Sequence, residues 1–142
     1  MAISARNVFG GIVTAFREGP VQAEIEITTD GGDVVAAIIS SRSAAGLNLA
    51  VGKPATAFIK ASGVVLVASE SGLRFSARNQ LTGTVAHLAK GAINTDVSLQ
   101  LPGGSNIHAV ITNAAADELG LVAGATATAL FKANAVMVAV PA

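Results

Sequence analysis

The chain has 142 residues and no net charge, because nine Lys and Arg balance nine Asp and Glu. Half of the residues (51%) are hydrophobic and only 13% are charged, which indicates a chain that buries much of its surface, partly against copies of itself. It has no Trp or Tyr and only five Phe, so it lacks the basic surface and stacking aromatics of a general nucleic-acid binder. The absence of Cys excludes disulfides, thiolate metal sites and cysteine catalysis.

No segment of the sequence predicts a membrane span. The longest stretch without a formal charge, Val97–Ala116, is interrupted by many polar residues, whereas a span needs about 20 mostly apolar residues. The N-terminal "MAISARNVFGG" has no apolar run of signal-peptide length. We therefore expect a cytoplasmic protein.

The first half of the chain indicates mostly strands. After a "SARN" motif at Ser4–Asn7, the alternating "AEIEITT" of Ala23–Thr29 predicts a half-buried strand. A "DGG" turn at Asp30–Gly32 leads into "VVAAII" (Val34–Ile39), which predicts the partner strand.

A short helix and one or two further strands complete this half. The helical signal lies in "SRSAAGLNL" (Ser41–Leu49), with Ser41 as the expected N-cap. The segment "ATAFIKASGVVLVA" (Ala55–Ala68) predicts one or two strands, interrupted near Gly63. We interpret "ASESGLR" (Ala68–Arg74) as the joint to the rest of the chain.

The remainder of the chain repeats the first half. A shift of 72 residues aligns Ser4–Val67 with Ser76–Ala139 without a gap, and 21 of the 64 positions are identical. "PGG" at Pro102–Gly104 replaces the first turn, and Asn113 is the expected N-cap of the second helix, "NAAADELGL". The match indicates two copies of one module.

We predict two domains, residues 1–70 and 71–142, in an all-β protein. Each is expected to be an OB-fold-like five-stranded antiparallel barrel with one short helix. Because about 70 residues make a thin core, we expect association of copies to supply further burial.

The two halves share few polar side chains, and most of these suit an anion. The other basic residues have no basic residue at the equivalent position of the other half; Arg17, for example, is matched by Ala89. The shared positions that suit an anion are Ser4/Ser76, Arg6/Arg78, Ser40/Thr112 and Lys60/Lys132. Arginine and lysine supply charge-assisted donors, hydroxyls add further donors, and a helix N-terminus following Ser40 would add N–H groups. From the residues alone, structural roles for the arginine and lysine remain an open alternative.

Neither catalysis nor a metal-ion site is indicated. The one well-matched acidic pair, Glu24/Asp96, lies within a predicted strand and is expected to face solvent, so no general base accompanies the cations. His87 and His108 are matched by alanines, which argues against a repeated metal site. Asn7 and Asn79 are interpreted as turn or strand-bonding residues.

At these residues the chain resembles the molbindin or Mop family of small molybdate-binding domains. The resemblance is carried by "SARNVFGGIV", "SSRSAAGLNLAVG" and "ATAFIKASGVVL", with a second copy in "SARNQLTGTV" and "ATALFKANAVMV". It implies a cytoplasmic protein that binds and stores molybdate or tungstate as the intact oxyanion, with no enzymatic activity. It also implies OB-type barrels assembled around a threefold axis, so that a two-domain chain would form a homotrimer.

The resemblance also implies a pocket where two domains meet. One domain would supply the SARN serine and arginine and the lysine with its following residue, and its neighbour would supply hydroxyls. The residues implied are Ser4, Arg6, Lys60, Ala61, Ser76, Arg78, Lys132 and Ala133, with the hydroxyls of Ser40, Ser43 and Thr112. Ala115 stands where the first half has Ser43, and Asn134 where it has Ser62, so pockets of unequal affinity are expected.

Three other function classes remain as alternatives. A molybdate-responsive regulator is the first, although the chain has no helix-turn-helix or phosphate loop and would act through a protein partner. An OB-fold protein that binds oligonucleotides is the second, disfavoured by charge and aromatic content. An enzyme acting on an anionic substrate is the third, disfavoured by the missing acid–base set.

Overall fold

The structure is a computed structural model that describes residues 2–68 and 71–142. Its strands are β1 (Asn7–Glu18), β2 (Gln22–Thr29), β3 (Val34–Ser40), β4 (Pro54–Ile59), β5 (Val65–Ala68), β6 (Asn79–Lys90), β7 (Asn94–Gln100), β8 (Asn106–Thr112), β9 (Thr126–Phe131) and β10 (Met137–Ala139). The α-helices are α1 (Ser41–Gly46) and α2 (Asn113–Leu119), and 3-10 turns occupy Ala61–Gly63 and Ala133–Ala135. No helix of the described residues is long and apolar enough to cross a membrane.

The strands form two five-stranded antiparallel sheets, which confirms the predicted all-β class and tandem OB-like barrels. The first sheet has the order β10-β4-β1-β2-β3 and the second has the order β5-β9-β6-β7-β8. In each sheet the two edge strands also approach one another, β10 toward β3 and β5 toward β8, so each sheet curls into a barrel.

Each sheet takes its fifth strand from the other half of the sequence. β5 pairs with β9, with Val65 opposite Leu130, while β10 pairs with β4, with Met137 opposite Phe58. One hydrophobic core cluster accordingly contains residues of both halves, such as Ile25 and Val97. The two barrels are therefore interlocked, and neither sheet is complete within one half of the chain.

The first strand of each half is long and was not singled out by the sequence pattern, because glycine interrupts its alternation. A Cβ atom at Gly11 would overlap the backbone carbonyl of Thr28, and one at Gly83 would overlap that of Gln100. Only glycine fits where these neighbouring strands approach so closely. This contact explains why the repeat keeps glycine at both positions.

The predicted helix caps are wrong by one residue. Ser40 caps α1, where its Oγ accepts a hydrogen bond from the Ser43 amide, and Thr112 caps α2 through the Ala115 amide. Strands β3 and β8 stay extended to their last residue, so that residue holds the N-cap conformation. The side chains of Ser41 and Asn113 instead donate to the carbonyls of Gly19 and Gly91 and anchor each helix to the preceding hairpin.

Candidate anion-binding site

The two repeated lysines each follow a central strand and precede a tight turn. Lys60 follows β4 and Lys132 follows β9, both in extended conformation, and each is the N-cap of a 3-10 turn without a side-chain capping bond. The next residues, Ala61 and Ala133, are buried and hold the turns against the core. The lysine side chains remain exposed and are available to a ligand.

The asparagines of the SARN motifs join the two halves. Asn79 Oδ1 accepts from the Ala36 amide at 2.7 Å and its Nδ2 donates to the Ala36 carbonyl at 2.8 Å. Asn7 makes the same pair with the backbone of His108, at 2.7 and 2.8 Å. Both asparagines are buried, so they extend the hydrogen bonding of an edge strand from the opposite half. Of the two predicted roles, turn or strand-bonding, the hydrogen bonds confirm the second.

The neighbouring arginines form ion pairs, also with the opposite half. Arg6 Nη1 lies 3.2 Å from Asp96 Oδ1, and Arg78 Nη1 lies 3.5 Å from Glu24 Oε1. These four side chains are between 42% and 46% exposed. The expectation that the two carboxylates simply face solvent was therefore incomplete, because each also binds an arginine that the repeat preserves.

Four of the candidate residues line one cavity at the junction of the halves. This cavity of about 180 Å³ is bordered by the candidates Ser76, Arg78, Lys132 and Ala133 and by Asn134, all from the second half, and by Gln22 and Ile38 from the first. Gln22 is the register partner of Ser40, which places this end of β3 at the same junction. The cavity thus combines two cations and a hydroxyl with the edge of the first sheet.

Ser43 lies at an adjoining cavity of about 570 Å³, which has mainly apolar walls that include Leu47 and Met137. Ile38 and Asn134 border both cavities, so Ser43 lies close to the 3-10 turn Ala133–Ala135 that follows Lys132. The Ser40 hydroxyl donates to the Ser43 hydroxyl at 2.8 Å, which fixes the two oxygens as a pair.

The first-half candidates occupy the equivalent positions of the repeat. Ser4 and Arg6 precede β1, and the turn that begins at Ala61 contacts β8 just as the second turn contacts β3. Ser4, Arg6 and Lys60 are exposed, and Thr112 lies at the end of β8. This junction has one hydroxyl, that of the cap Thr112, because the residue equivalent to Ser43 is Ala115.

The histidine of β8 distinguishes the two junctions. His108 is partly buried, and its Nδ1 lies 2.9 Å from the Ser98 hydroxyl. Burial lowers its pKa below the ordinary 6.5, and the positive charge of Arg6 lowers it further, while Asp96 opposes the shift. The sequence analysis considered His108 only as a metal ligand and did not predict that it lies near Arg6. Among residues 2–68 and 71–142, no three His, Cys, Asp or Glu side chains could together hold a metal ion.

Comparison with known proteins places both halves in one domain family. The TOBE domain model matches residues 3–66 and again residues 76–138. The molybdenum transport protein ModE of Herbaspirillum seropedicae is 46% identical over 99% of this chain and 52% of its own length. The molybdenum-pterin-binding protein MopA of Rhodobacter capsulatus is 45% identical over 99% of this chain and 53% of its own length. The chain thus spans about half the length of the curated relatives it matches.

A solved structure matches over the full length of both chains. The cytoplasmic molybdate-binding protein ModG, crystallised with molybdate bound, superposes with a TM-score of 0.96. It is 50% identical, and the match covers 99% of this chain and 100% of that one. The chain belongs to the TOBE domain family and is a tandem molbindin of the Mop type, with one domain sequence in each half.

Proposed function

We propose that this protein binds molybdate as an intact oxyanion and stores it, with residues 1–70 and 71–142 acting as two binding domains. The observation that carries the proposal is the cavity at which Ser76, Arg78 and Lys132 meet the edge of the opposite sheet. The full-length similarity to a molybdate-binding ModG supports it. Symmetry of the repeat extends the proposal to a second site at Ser4, Arg6 and Lys60.

The donor set suits a tetrahedral dianion. One arginine and one lysine balance two negative charges, and the hydroxyls of Ser40, Ser43 and Thr112 add donors to the oxygens. Sulfate has the same charge and shape but is smaller and more strongly hydrated. A rigid cage of larger size disfavours it through longer hydrogen bonds and a greater desolvation cost.

The site residues include cations and hydroxyls but no acid–base pair that would process the anion. The carboxylates beside the arginines, Glu24 and Asp96, form ion pairs with them. We therefore assign a binding protein and not an enzyme. Tungstate, which is also a tetrahedral dianion, is expected to bind in the same way, and the similarity to a cytoplasmic ModG supports a store in the cytoplasm.

A homotrimer is the proposed working form, in which neighbouring copies help to enclose the sites. Equivalent apolar side chains are exposed in both halves, with Val21 at 74% and Ile93 at 75%, and Val65 at 58% and Met137 at 59%. Large apolar side chains exposed to this degree favour a surface that a second copy covers. Met137 borders the apolar cavity beside Ser43, which brings this surface to the site.

Titration calorimetry of the wild-type protein with molybdate, in buffer containing millimolar sulfate, tests the proposal. We expect saturable binding of at least two ions per chain, competition by tungstate, and a trimer by light scattering. Absence of heat and of competition would contradict oxyanion storage. Salt-sensitive retention on single-stranded nucleic acid would then favour the oligonucleotide-binding alternative.

A regulatory role is the second candidate, since ModE proteins are similar over about half of their length. In that role the chain would present a molybdate-dependent surface to a protein partner. A pull-down from cell extract, compared with and without molybdate, separates the two: a partner retained only with molybdate supports regulation.

A further inference from the structure

Each arginine of the proposed site is bound by a carboxylate from the opposite half. The contacts are Arg6 with Asp96 at 3.2 Å and Arg78 with Glu24 at 3.5 Å. Among the nine acidic residues of the sequence, Glu24 and Asp96 are the only two at equivalent positions of the repeat. The arginine and its carboxylate have therefore been kept together in both halves.

Folding stability does not account for this pairing. The four side chains are 42% to 46% exposed, and ion pairs at such exposure contribute little because water and salt screen them. The buried asparagine next to each arginine already joins the halves with two hydrogen bonds. A role in ligand binding explains the retention of the carboxylates better than a role in joining the halves.

Arg78 lies between two cavities. On one side it borders the candidate site together with Ser76 and Lys132. On the other side it borders a cavity of about 230 Å³ whose lining includes Glu24 and Glu26 together with a second arginine, Arg17. The guanidinium is therefore placed where a carboxylate and a bound anion both have access to it.

We propose that Glu24 and Asp96 are internal counter-ions that compete with the bound oxyanion for the arginines. The inference rests on the proposed function. A carboxylate beside the guanidinium neutralises part of its field and repels a dianion in the adjoining cavity. The carboxylates thereby keep the affinity below the value that the arginine and lysine alone would give, which suits a store that must release its cargo.

Titration calorimetry with molybdate on Glu24→Gln, Asp96→Asn and the double variant tests this inference. Each change keeps the side-chain shape and removes one negative charge. Asp30→Asn is the matched control, because it changes the net charge equally at an exposed turn after β2, at the opposite end of that strand from Glu24. We expect each single variant to bind molybdate roughly threefold to tenfold more tightly at about half of the sites. The double variant is expected to show the same increase in affinity at all sites.

Unchanged or weaker binding in the double variant, with Asp30→Asn equal to wild type, would overturn the inference and leave the proposed function intact. Weaker binding would assign the carboxylates to positioning of the guanidinium. Absence of molybdate binding by the wild-type protein would overturn the proposed function and this inference with it. Melting temperatures of all variants close to wild type will show that the affinities compare folded proteins.

Discussion

The side-chain amide of Asn79 pairs with both backbone groups of Ala36 in the opposite half, at 2.7 and 2.8 Å. The asparagine continues the hydrogen-bonded ladder at the outer edge of β3, and Asn7 does the same for β8 through His108. The SARN motif thus combines an asparagine that joins the halves with an arginine proposed to bind the anion. The asparagine next to each arginine joins the halves by its hydrogen bonds, and these bonds therefore position the arginine.

Replacement of Asn79 with alanine is expected to destabilise the protein by about 2–4 kcal/mol, because it leaves a buried amide and carbonyl of Ala36 without partners. Denaturant unfolding followed by circular dichroism measures the change. Asn106→Ala, at an exposed asparagine of β8, is the control and should stay within about 0.5 kcal/mol of wild type. An equally small effect of Asn79→Ala would contradict the assigned role of this side chain.

The exchange of β5 and β10 predicts that one half cannot fold alone. A fragment that ends after β5 lacks the strand that pairs with β4, while its own β5 has no sheet to join. Light scattering and circular dichroism of such a fragment are expected to show an unfolded chain or a dimer with exchanged strands. A stably folded monomer would show that the exchange is not required.

Acidic pH is expected to reduce folding stability through His108. Its pKa is lowered in the folded chain from the ordinary 6.5, so the unfolded chain binds more protons in the window between the two values. The contribution of His108 to the free energy of unfolding is therefore fully present above pH 6.5 and is lost as the pH falls through that window. Melting temperatures between about pH 7 and pH 5 should fall more steeply for wild type than for His108→Ala.

His108→Ala is a well-defined comparison, because Asn7 binds the backbone of residue 108 and the first half already has alanine there, at Ala36. Equal slopes for the two proteins would assign the acid sensitivity to other groups.

Loss of the Ser43 hydroxyl is expected to weaken molybdate binding roughly threefold to tenfold at the pockets built with it, since one hydrogen bond to a charged ligand is removed. Calorimetric titration of Ser43→Ala measures this effect. The converse change, Ala115→Ser, supplies the missing hydroxyl and should tighten the weaker pockets. Equal affinity at all pockets of the wild-type protein would contradict a role for this hydroxyl.

The local sequence predicted the fold class, most strands and the repeat, because alternation, turn residues and a gapless match are properties of neighbouring positions. The exchange of β5 and β10 could not be predicted, since either half supplies a suitable fifth strand for the same place in a barrel. The helix caps were misplaced by one residue because Ser40 and Ser41, like Thr112 and Asn113, are both good caps.

The candidate cations could be found from the repeat, but their partners could not. Arg6 and Asp96 are 90 positions apart and meet only because the two barrels pack together. The comparison of halves used His108 only to argue against a repeated metal site, because its counterpart is Ala36, and it did not predict that His108 lies near Arg6. Contacts between the halves therefore had to come from the structure.

Replacement of both repeated arginines tests whether Arg6 and Arg78 bind the oxyanion. Titration calorimetry with molybdate in millimolar sulfate should compare wild type, Arg6→Ala/Arg78→Ala, and Arg42→Ala, whose equivalent in the second half is already Ala114. We expect the double variant to lose affinity by at least about 100-fold at every pocket, since each pocket loses a charge-assisted donor, while Arg42→Ala binds as wild type does. Molybdate binding retained in a folded double variant would contradict the binding role proposed for the two arginines and place the oxyanion elsewhere on the molecule.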